Sequence, residues 1–383
     1  MVSAKETLRF LQPVTRELVH RSSVSEVFVT DGLRTGDSTF VIAAQWPRDH
    51  ALYHPDENGL NDPLLFVETL RQAHFYAAHT FFDVPLGHHF VGQDISFEIT
   101  DHAALRVGGA PLSVLLDGTW EWQGGTPARR AGARMNVSLV VDGRVCGRGH
   151  ARGLIVDDRR YGLLRKRAAE AAAAASGAAV GAGVTEGVAV PAPAPAPVAD
   201  VEVVPPHRVG RQRWRDCVLE RDVPEREVQG REVLEREVQG REGPEREVQG
   251  RPDRVWRLRI DRDHAVLFDH PTDHIPLMVM LEGFRQLGHL TVHETAQGAP
   301  LDGAFVLAGL ALDCAAFGEL GAPVHLTAVD NTPDTVRDGS RRLRVEAHQG
   351  GTRLAVADTA WRSVGRRDPR RLAASQPLSA ASH

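Results

Sequence analysis

Glu68, Arg71 and Gln72 recur as Glu282, Arg285 and Gln286 at one constant offset of 214 residues. Positions i, i+3 and i+4 share one face of a helix, so each set places a carboxylate beside a guanidinium and an amide. Such a carboxylate can take up a proton and such a guanidinium can hold an anion, two capacities that a group-transfer step needs. The residues around each set are large and apolar nearly all the way round, which is the pattern of a buried helix. A charged pair in that setting is costly unless it has partners or work. The same pairs also serve as braces that fix a helix, and the residues alone leave both roles open.

Other candidates sit just upstream. Asp62 and Asp273 open the two apolar runs, and with Gln72 and Gln286 they are the polar groups expected to contact a substrate. Asp62 also suits the helix cap, with Pro63 in the first turn. His270 and His274 lie in the lead-in to the second run, where a histidine can position a substrate, act as a base or brace the loop. The first run has only His54 further back in its loop. Glu282 and Arg285, assisted by His270 or His274, are therefore expected to form the principal site, with Glu68 and Arg71 completing it or forming a second one. His74, His79, His88 and His89 have no spacing that converges on a metal from one helix face, and they read as core-edge or surface residues. No metal or cofactor is expected.

The elements that must position these groups follow the same order twice. Strands are predicted over residues 26–30 and 39–46, a helix over 63–82, then strands over 90–106, 113–123, 133–141 and 144–156, with Asp142-Gly143 as a hairpin turn. The second half predicts strands over 254–260 and 265–268, a helix over 273–293, and strands over 303–317, 324–329, 341–348 and 353–364, the last two flanking Gly350-Gly351. The expected organisation is one domain over residues 18–160, a low-complexity linker over 168–252, a second domain over 253–365 and a flexible tail over 366–383. The linker stretch holds an Ala/Gly tract, an alternating Pro-Ala run and a ten-residue repeat ending Glu-Arg-Glu-Val-Gln-Gly. Its composition cannot bury a core, so it reads as disordered.

Composition narrows the classes. The chain of 383 residues is long enough for two or three cores. Its 45 basic and 50 acidic residues give a net charge of −5, against the basic surplus of nucleic-acid binders. Three widely spaced cysteines form neither a disulfide framework nor a zinc pattern and suit a reducing compartment. No signal-peptide core and no run of about 18 strongly apolar residues is visible. A cytoplasmic protein without membrane or nucleic-acid partners is expected.

A long apolar helix embraced by an antiparallel sheet, present twice, resembles the hotdog fold, an α+β architecture here in tandem double form. Particular segments sharpen the likeness. They are Val19-His20-Arg21 with Glu26-Val27, Gln45-Trp46-Pro47-Arg48 with His50, and Asp62-Pro63-Leu64-Leu65 with Glu68, Arg71, Gln72 and Ala73. Val84-Pro85-Leu86-Gly87-His88 with Phe90 and Asp269-His270-Pro271 with Asp273-His274-Ile275-Pro276 complete the set. Together they resemble the A-factor biosynthesis hotdog-repeat family, makers of γ-butyrolactone autoregulators. Two features depart from the family pattern: Pro276-Leu277-Met278 stands where Pro-Gly-Met is usual, and the repeat-bearing linker is long.

The resemblance implies transfer of a β-ketoacyl group from an acyl carrier protein thioester to the hydroxyl of dihydroxyacetone phosphate. It also implies pairing of the two halves as an intramolecular pseudo-dimer. In that reaction Glu68 or Glu282 would be the base and Arg71 or Arg285 the phosphate ligand, with helix N-terminal amides polarising the thioester. Three alternatives stay open on the same fold: a dehydratase, a thioesterase, or a non-catalytic acyl- or butyrolactone-binding module.

Overall fold

The computed structural model describes residues 7–124, 132–175, 201–222, 255–295, 303–333, 335–336 and 339–365. Thirteen strands form one antiparallel sheet in the order β1-β2-β4-β5-β6-β3-β10-β13-β12-β11-β9-β8-β7. The first half supplies β1 (Val29–Arg34), β2 (Thr39–Trp46), β3 (His89–Ile99), β4 (Leu112–Gln123), β5 (Gly132–Val141) and β6 (Arg144–Val156). The second supplies β7 (Val201–Val203), β8 (Leu219–Asp222), β9 (Trp256–Leu258), β10 (Gly303–Cys314), β11 (Val324–Asp330), β12 (Arg341–Gln349) and β13 (Thr352–Gly365). Read inward from its own edge, each half runs through corresponding strands in the same order, and β7 adds an extra edge strand to the second. The halves join where β3 pairs with β10, with Phe97 opposite Leu310 and Ile95 opposite Leu312.

Each half carries one central helix, α1 (Leu64–Phe81) and α3 (Leu277–Thr295). The α1 helix starts where the Asp62 carboxylate accepts the Leu64 amide. It stops where Asp83 turns left-handed at φ 55° and the Val84 amide reaches back to the Ala78 carbonyl. That bond, reaching back six residues, closes the last turn and satisfies a carbonyl near the helix end. Leu64, Leu65, Phe66, Val67 and Leu70 on α1 are fully buried, as are Leu281 and Phe284 on α3. Full burial of a side chain of this size contributes roughly 1.5–3 kcal/mol, so the helix–sheet contact is the dominant apolar term in each half. The predicted turns hold. Asp142-Gly143 and Gly350-Gly351 all take positive φ, the geometry a two-residue hairpin needs.

Two expectations change. Residues 265–268 are not a strand; His264 Nδ1 accepts the Val266 and Leu267 amides and curls the chain instead. The stretch 168–252 is not a linker throughout. Residues 158–175 form α2 (Asp158–Ala175), and residues 201–222 contribute β7, β8 and two 3-10 turns to the second half. Its charged, proline-rich composition suggested disorder, yet Val204, Val209, Cys217, Val218 and Leu219 are buried. Most of the ten-residue repeat and the alternating Pro-Ala run lie outside the described residues, as does the tail from 366. Among the described residues no helix is long and apolar enough to cross a membrane.

Candidate active site

Glu68 and Glu282 are both completely buried, and each pairs with an arginine to which the sequence analysis gave no role at the site. Arg21 donates from Nε to Glu68 at 3.0 Å, and its Nη2 lies 2.7 Å from the same oxygen. Arg211 forks onto Glu282, with Nε 2.7 Å from Oε1 and Nη2 2.5 Å from Oε2. Each of these arginines also reaches into the other half. Arg21 donates to the Val266 carbonyl and stands 3.9 Å from Asp269. Arg211 donates to the Leu52 carbonyl and to Asp62. The two charged clusters are thus related by a pseudo-twofold axis and stitch the halves together.

The glutamines complete the brace. Gln72 donates to the Glu26 carbonyl and Glu68, and accepts the Phe28 amide. Gln286 does the same with the Asp216 carbonyl, Glu282 and the Val218 amide. Both are fully buried with their polar atoms committed to protein, so they lock the helix face and do not present a group to substrate as expected. Asp62 is likewise buried. Burial pushes its pKa up, but Arg211 and Arg285 outweigh that and hold it below the usual range. It caps α1 and pairs with Arg211, roles that leave no oxygen facing a ligand. Glu26–His50 and Asp216–His264, each 3.2 Å apart, repeat one further brace in both halves.

Beyond these braces the halves diverge. Arg71 binds Glu68 through Nε and Nη2, at 3.0 and 2.8 Å, and its Nη1 has no hydrogen-bond partner among the described residues. Arg285 instead spends Nη1 on the Val209 carbonyl and Nη2 on the Gly210 carbonyl. His270 lies in the field of Arg71 and Arg21, with Nδ1 3.6 Å from Asp269. It therefore belongs to the Glu68 cluster, not to Glu282 as expected, because the lead-in to α3 crosses the seam between the halves. Burial first, then Arg71, lowers its pKa against the pull of Asp269.

His274 and Asp273 are drawn elsewhere. Asp273 accepts from Tyr161 Oη at 2.8 Å and from Arg165 Nε at 2.9 Å, both on α2, and binds His274. Arg165 also forks onto Glu319 and lies over Phe317. These contacts latch α2 across the start of the second helix. Burial alone would raise the Asp273 pKa, but His274, Tyr161 and Arg165 bring it to about 2. The expected substrate contact at Asp273 and catalytic help from His274 are replaced by this latch.

Around Arg71 stands a group of side chains that sequence reasoning treated as family markers or core. His20 stacks on Phe75 at 4.6 Å and meets Phe90 edge-on at 5.3 Å. The Arg71 guanidinium lies 4.9 Å from the Phe75 centroid. His79 Nε2 is 2.9 Å from His20 Nε2. The signal that could have found the hidden arginines was a second repeat. Val19-His20-Arg21 with Glu26 answers Val209-Gly210-Arg211 with Asp216, at a shorter offset than the helices.

The Glu68 carboxylate cannot be the base that sequence reasoning proposed. Burial would raise its pKa, but Arg21 and Arg71 outweigh it and hold the group at about 2. Its oxygens are also occupied by Arg21, Arg71 and Gln72. What it does is hold two guanidiniums in fixed directions. A cleft of about 1080 Å³ on the outer sheet face is lined by strand and loop residues and by none from α1 or α3, so it does not adjoin either charged cluster. No cluster of metal-ligating side chains is present among the described residues.

Two central helices wrapped by one shared antiparallel sheet, with a charged cluster at each seam, define a double hotdog protein. The sequence matches the A-factor biosynthesis hotdog domain over residues 2–157 and 194–365, and the chain belongs to that family. It is 33% identical over 88% of its length to a 2-oxo-3-(phosphooxy)propyl 3-oxoalkanoate synthase of Streptomyces virginiae, covering 94% of that protein. It is 28% identical over 72% of its length to the enzyme of the same name from Streptomyces griseus, covering 74% of it. Among solved structures it is similar to an acyl-ACP thioesterase from Bacteroides thetaiotaomicron. The identity there is 12%, over 84% of this chain and 97% of that one, with a TM-score of 0.42.

Proposed function

We propose that the protein is a cytoplasmic acyltransferase of γ-butyrolactone biosynthesis. It moves a β-ketoacyl group from an acyl carrier protein thioester to the hydroxyl of dihydroxyacetone phosphate. The relatives' name describes the resulting ester, a 3-oxoalkanoate carried on a phosphorylated three-carbon ketone. The observation that carries the reading is the uncommitted edge of Arg71. A guanidinium fixed by Glu68 and lying over the Phe75 ring suits a phosphate ester, since its planar donors match phosphate oxygens.

Arg285 has no such edge, because two backbone carbonyls already take its donors. The reading therefore puts the reaction at the first helix, with Glu282, Arg211 and Asp62 as the structural counterpart. This reverses the sequence-based ranking of the two helices. The test is mass spectrometry of products from the purified full chain, a β-ketoacyl carrier protein and dihydroxyacetone phosphate. The expected product is the phosphorylated ester, formed only when the acceptor is present. Free β-ketoacid released equally well without acceptor would make the protein a thioesterase and sink the reading.

A further inference from the structure

The contact between His20 and His79 fixes where the protons lie. His79 Nδ1 is 2.8 Å from the Val84 carbonyl, which can only accept. That nitrogen therefore carries the proton, and in a neutral ring Nε2 is left as the acceptor. The proton between the two rings then belongs to His20 Nε2, and the lone pair of His20 sits on Nδ1. No described residue donates to that nitrogen, and the His20 ring is only half-buried. Both rings are held neutral. Burial, then His79, Arg71 and His270, bring His20 down to about 3. Burial likewise lowers His79.

We propose, resting on the acyl-transfer reading above, that His20 Nδ1 accepts the proton of the attacking hydroxyl and that His79 is the positioning residue that sets its tautomer. The hydroxyl oxygen forms a bond to the thioester carbonyl carbon as its proton passes to Nδ1. The carbon–sulfur bond then breaks, and the same proton goes to the departing thiolate. His20 returns neutral, and the products are the ester and the free carrier thiol. Of the groups that depress His20, the Arg71 cation is the one a bound phosphate dianion would offset. Acceptor binding at Arg71 thus raises the proton affinity of the base it needs.

The second half shows what the pair is for. His20 sits at φ 52° and Gly210 at φ 61°, each after a 3-10 turn and one residue before the arginine that pairs with the helix glutamate. Where Phe75 and His79 face His20, the second half has His289 and His293 stacked on each other at 4.0 Å. Their Nδ1 atoms bind backbone carbonyls of Arg208 and His289. A side chain at Gly210 would meet His289 Nε2 at 2.9 Å and Arg285 at 3.1 Å, so the second half has no room for the same base.

The experiment uses the full chain with β-ketoacyl carrier protein and dihydroxyacetone phosphate. His20→Gly keeps a residue that tolerates positive φ and should lower kcat by about 100-fold or more, the usual size of a general-base contribution. KM for the acceptor should change by less than about 3-fold, since Arg71 remains, and added imidazole should restore part of the rate. His79→Gln, which can still accept from His20, should keep most of the activity. His79→Leu should lose about 10-fold or more and shift the pH profile of kcat. Full activity in His20→Gly, or loss in KM alone, overturns the proposal. So does loss that imidazole does not restore while the melting temperature falls. Wild-type protein that forms no ester sinks the acyl-transfer reading and the base with it, an outcome separable from an active wild type with an equally active His20→Gly.

Discussion

His20 and Gly210 occupy the same left-handed position in the two halves, and the difference between them decides how the neighbouring helix arginine is used. At Gly210 the Arg285 guanidinium closes down on the backbone and donates to the carbonyls of Val209 and Gly210. At His20 the imidazole stacks on Phe75, and Arg71 gives Nε and Nη2 to Glu68, with no partner for Nη1 among the described residues. The repeated geometry is thus a fully committed brace on one side of the molecule and, on the other, leaves one guanidinium nitrogen without a partner among the described residues.

Arg71→Met and Arg285→Met should therefore fail in different ways. Loss of Arg71 should raise KM for the phosphorylated acceptor and cut kcat/KM by about 100-fold with only a small change in melting temperature. Loss of Arg285 strips the Val209 and Gly210 carbonyls of their donor and should lower stability by about 2–3 kcal/mol, with activity falling in step with the folded fraction. Urea denaturation beside steady-state kinetics separates the two. The same phenotype from both variants would remove the functional asymmetry.

Glu68 makes stability depend on pH with a definite sign. Its folded pKa, about 2, lies below the ordinary 4.5, so the folded state favours the ionised form. The stabilisation is complete above about pH 4.5 and is lost as the pH falls through about 2. Wild type should exceed Glu68→Gln in melting temperature at pH 7, and the gap should narrow between pH 4.5 and 2. A gap that widened on acidification would mean that Glu68 is not held ionised by Arg21 and Arg71.

The helix sets were legible because they are local. Glu68, Arg71 and Gln72 meet within one turn, and a 3.6-residue period brings them together whatever the rest of the chain does. The double hotdog and its hairpin turns were legible for the same reason, through repeated order and through Asp142-Gly143 and Gly350-Gly351. The partners of the helix sets were not. Arg21 reaches Glu68 across 47 residues and Val266 across 245, distances over which no periodicity speaks. Arg211 was hidden further by the Arg- and Pro-rich stretch around it, whose few apolar residues suffice because α3 supplies the rest of the core. His270 was read with the helix it precedes, yet a pseudo-twofold seam gives each lead-in to the opposite site.

Arg211 should be among the most sensitive positions for folding. It is completely buried and pairs with Glu282 and Asp62 together. Arg211→Met would leave Glu282 and Asp62 to share only the more distant Arg285, at 3.9 and 3.5 Å, and breaking a buried pair from one side costs about 3–5 kcal/mol. Adding Glu282→Gln to Arg211→Met should recover part of that loss, because one stranded charge is removed. Equilibrium unfolding of the single and double variants reads both numbers. A single variant within about 1 kcal/mol of wild type would show that the cluster is not what holds the halves together.

The ten-residue repeats lie between β8 and β9, and their position predicts how much of the chain is dispensable. Those two strands are adjacent and antiparallel, with Leu219 opposite Leu258 and Glu220 opposite Arg257. They correspond to β1 and β2, which residues 35–38 suffice to join. A short turn can therefore connect Asp222 to residue 255, and extra length in such a loop costs closure entropy only slowly, about 0.6 kcal/mol per doubling. Replacing residues 223–254 with a short Gly/Ser turn should leave the melting temperature within about 2 °C of wild type, or raise it slightly. Replacing the whole of 168–250 with a flexible linker should instead unfold the second half, since it removes β7, β8, Arg211 and the backbone that Gln286 holds. Thermal unfolding and ester formation measured on both deletions decide the matter. A folded and active protein lacking 168–250 would show that residues 201–222 are an accessory to the second hotdog and not part of it.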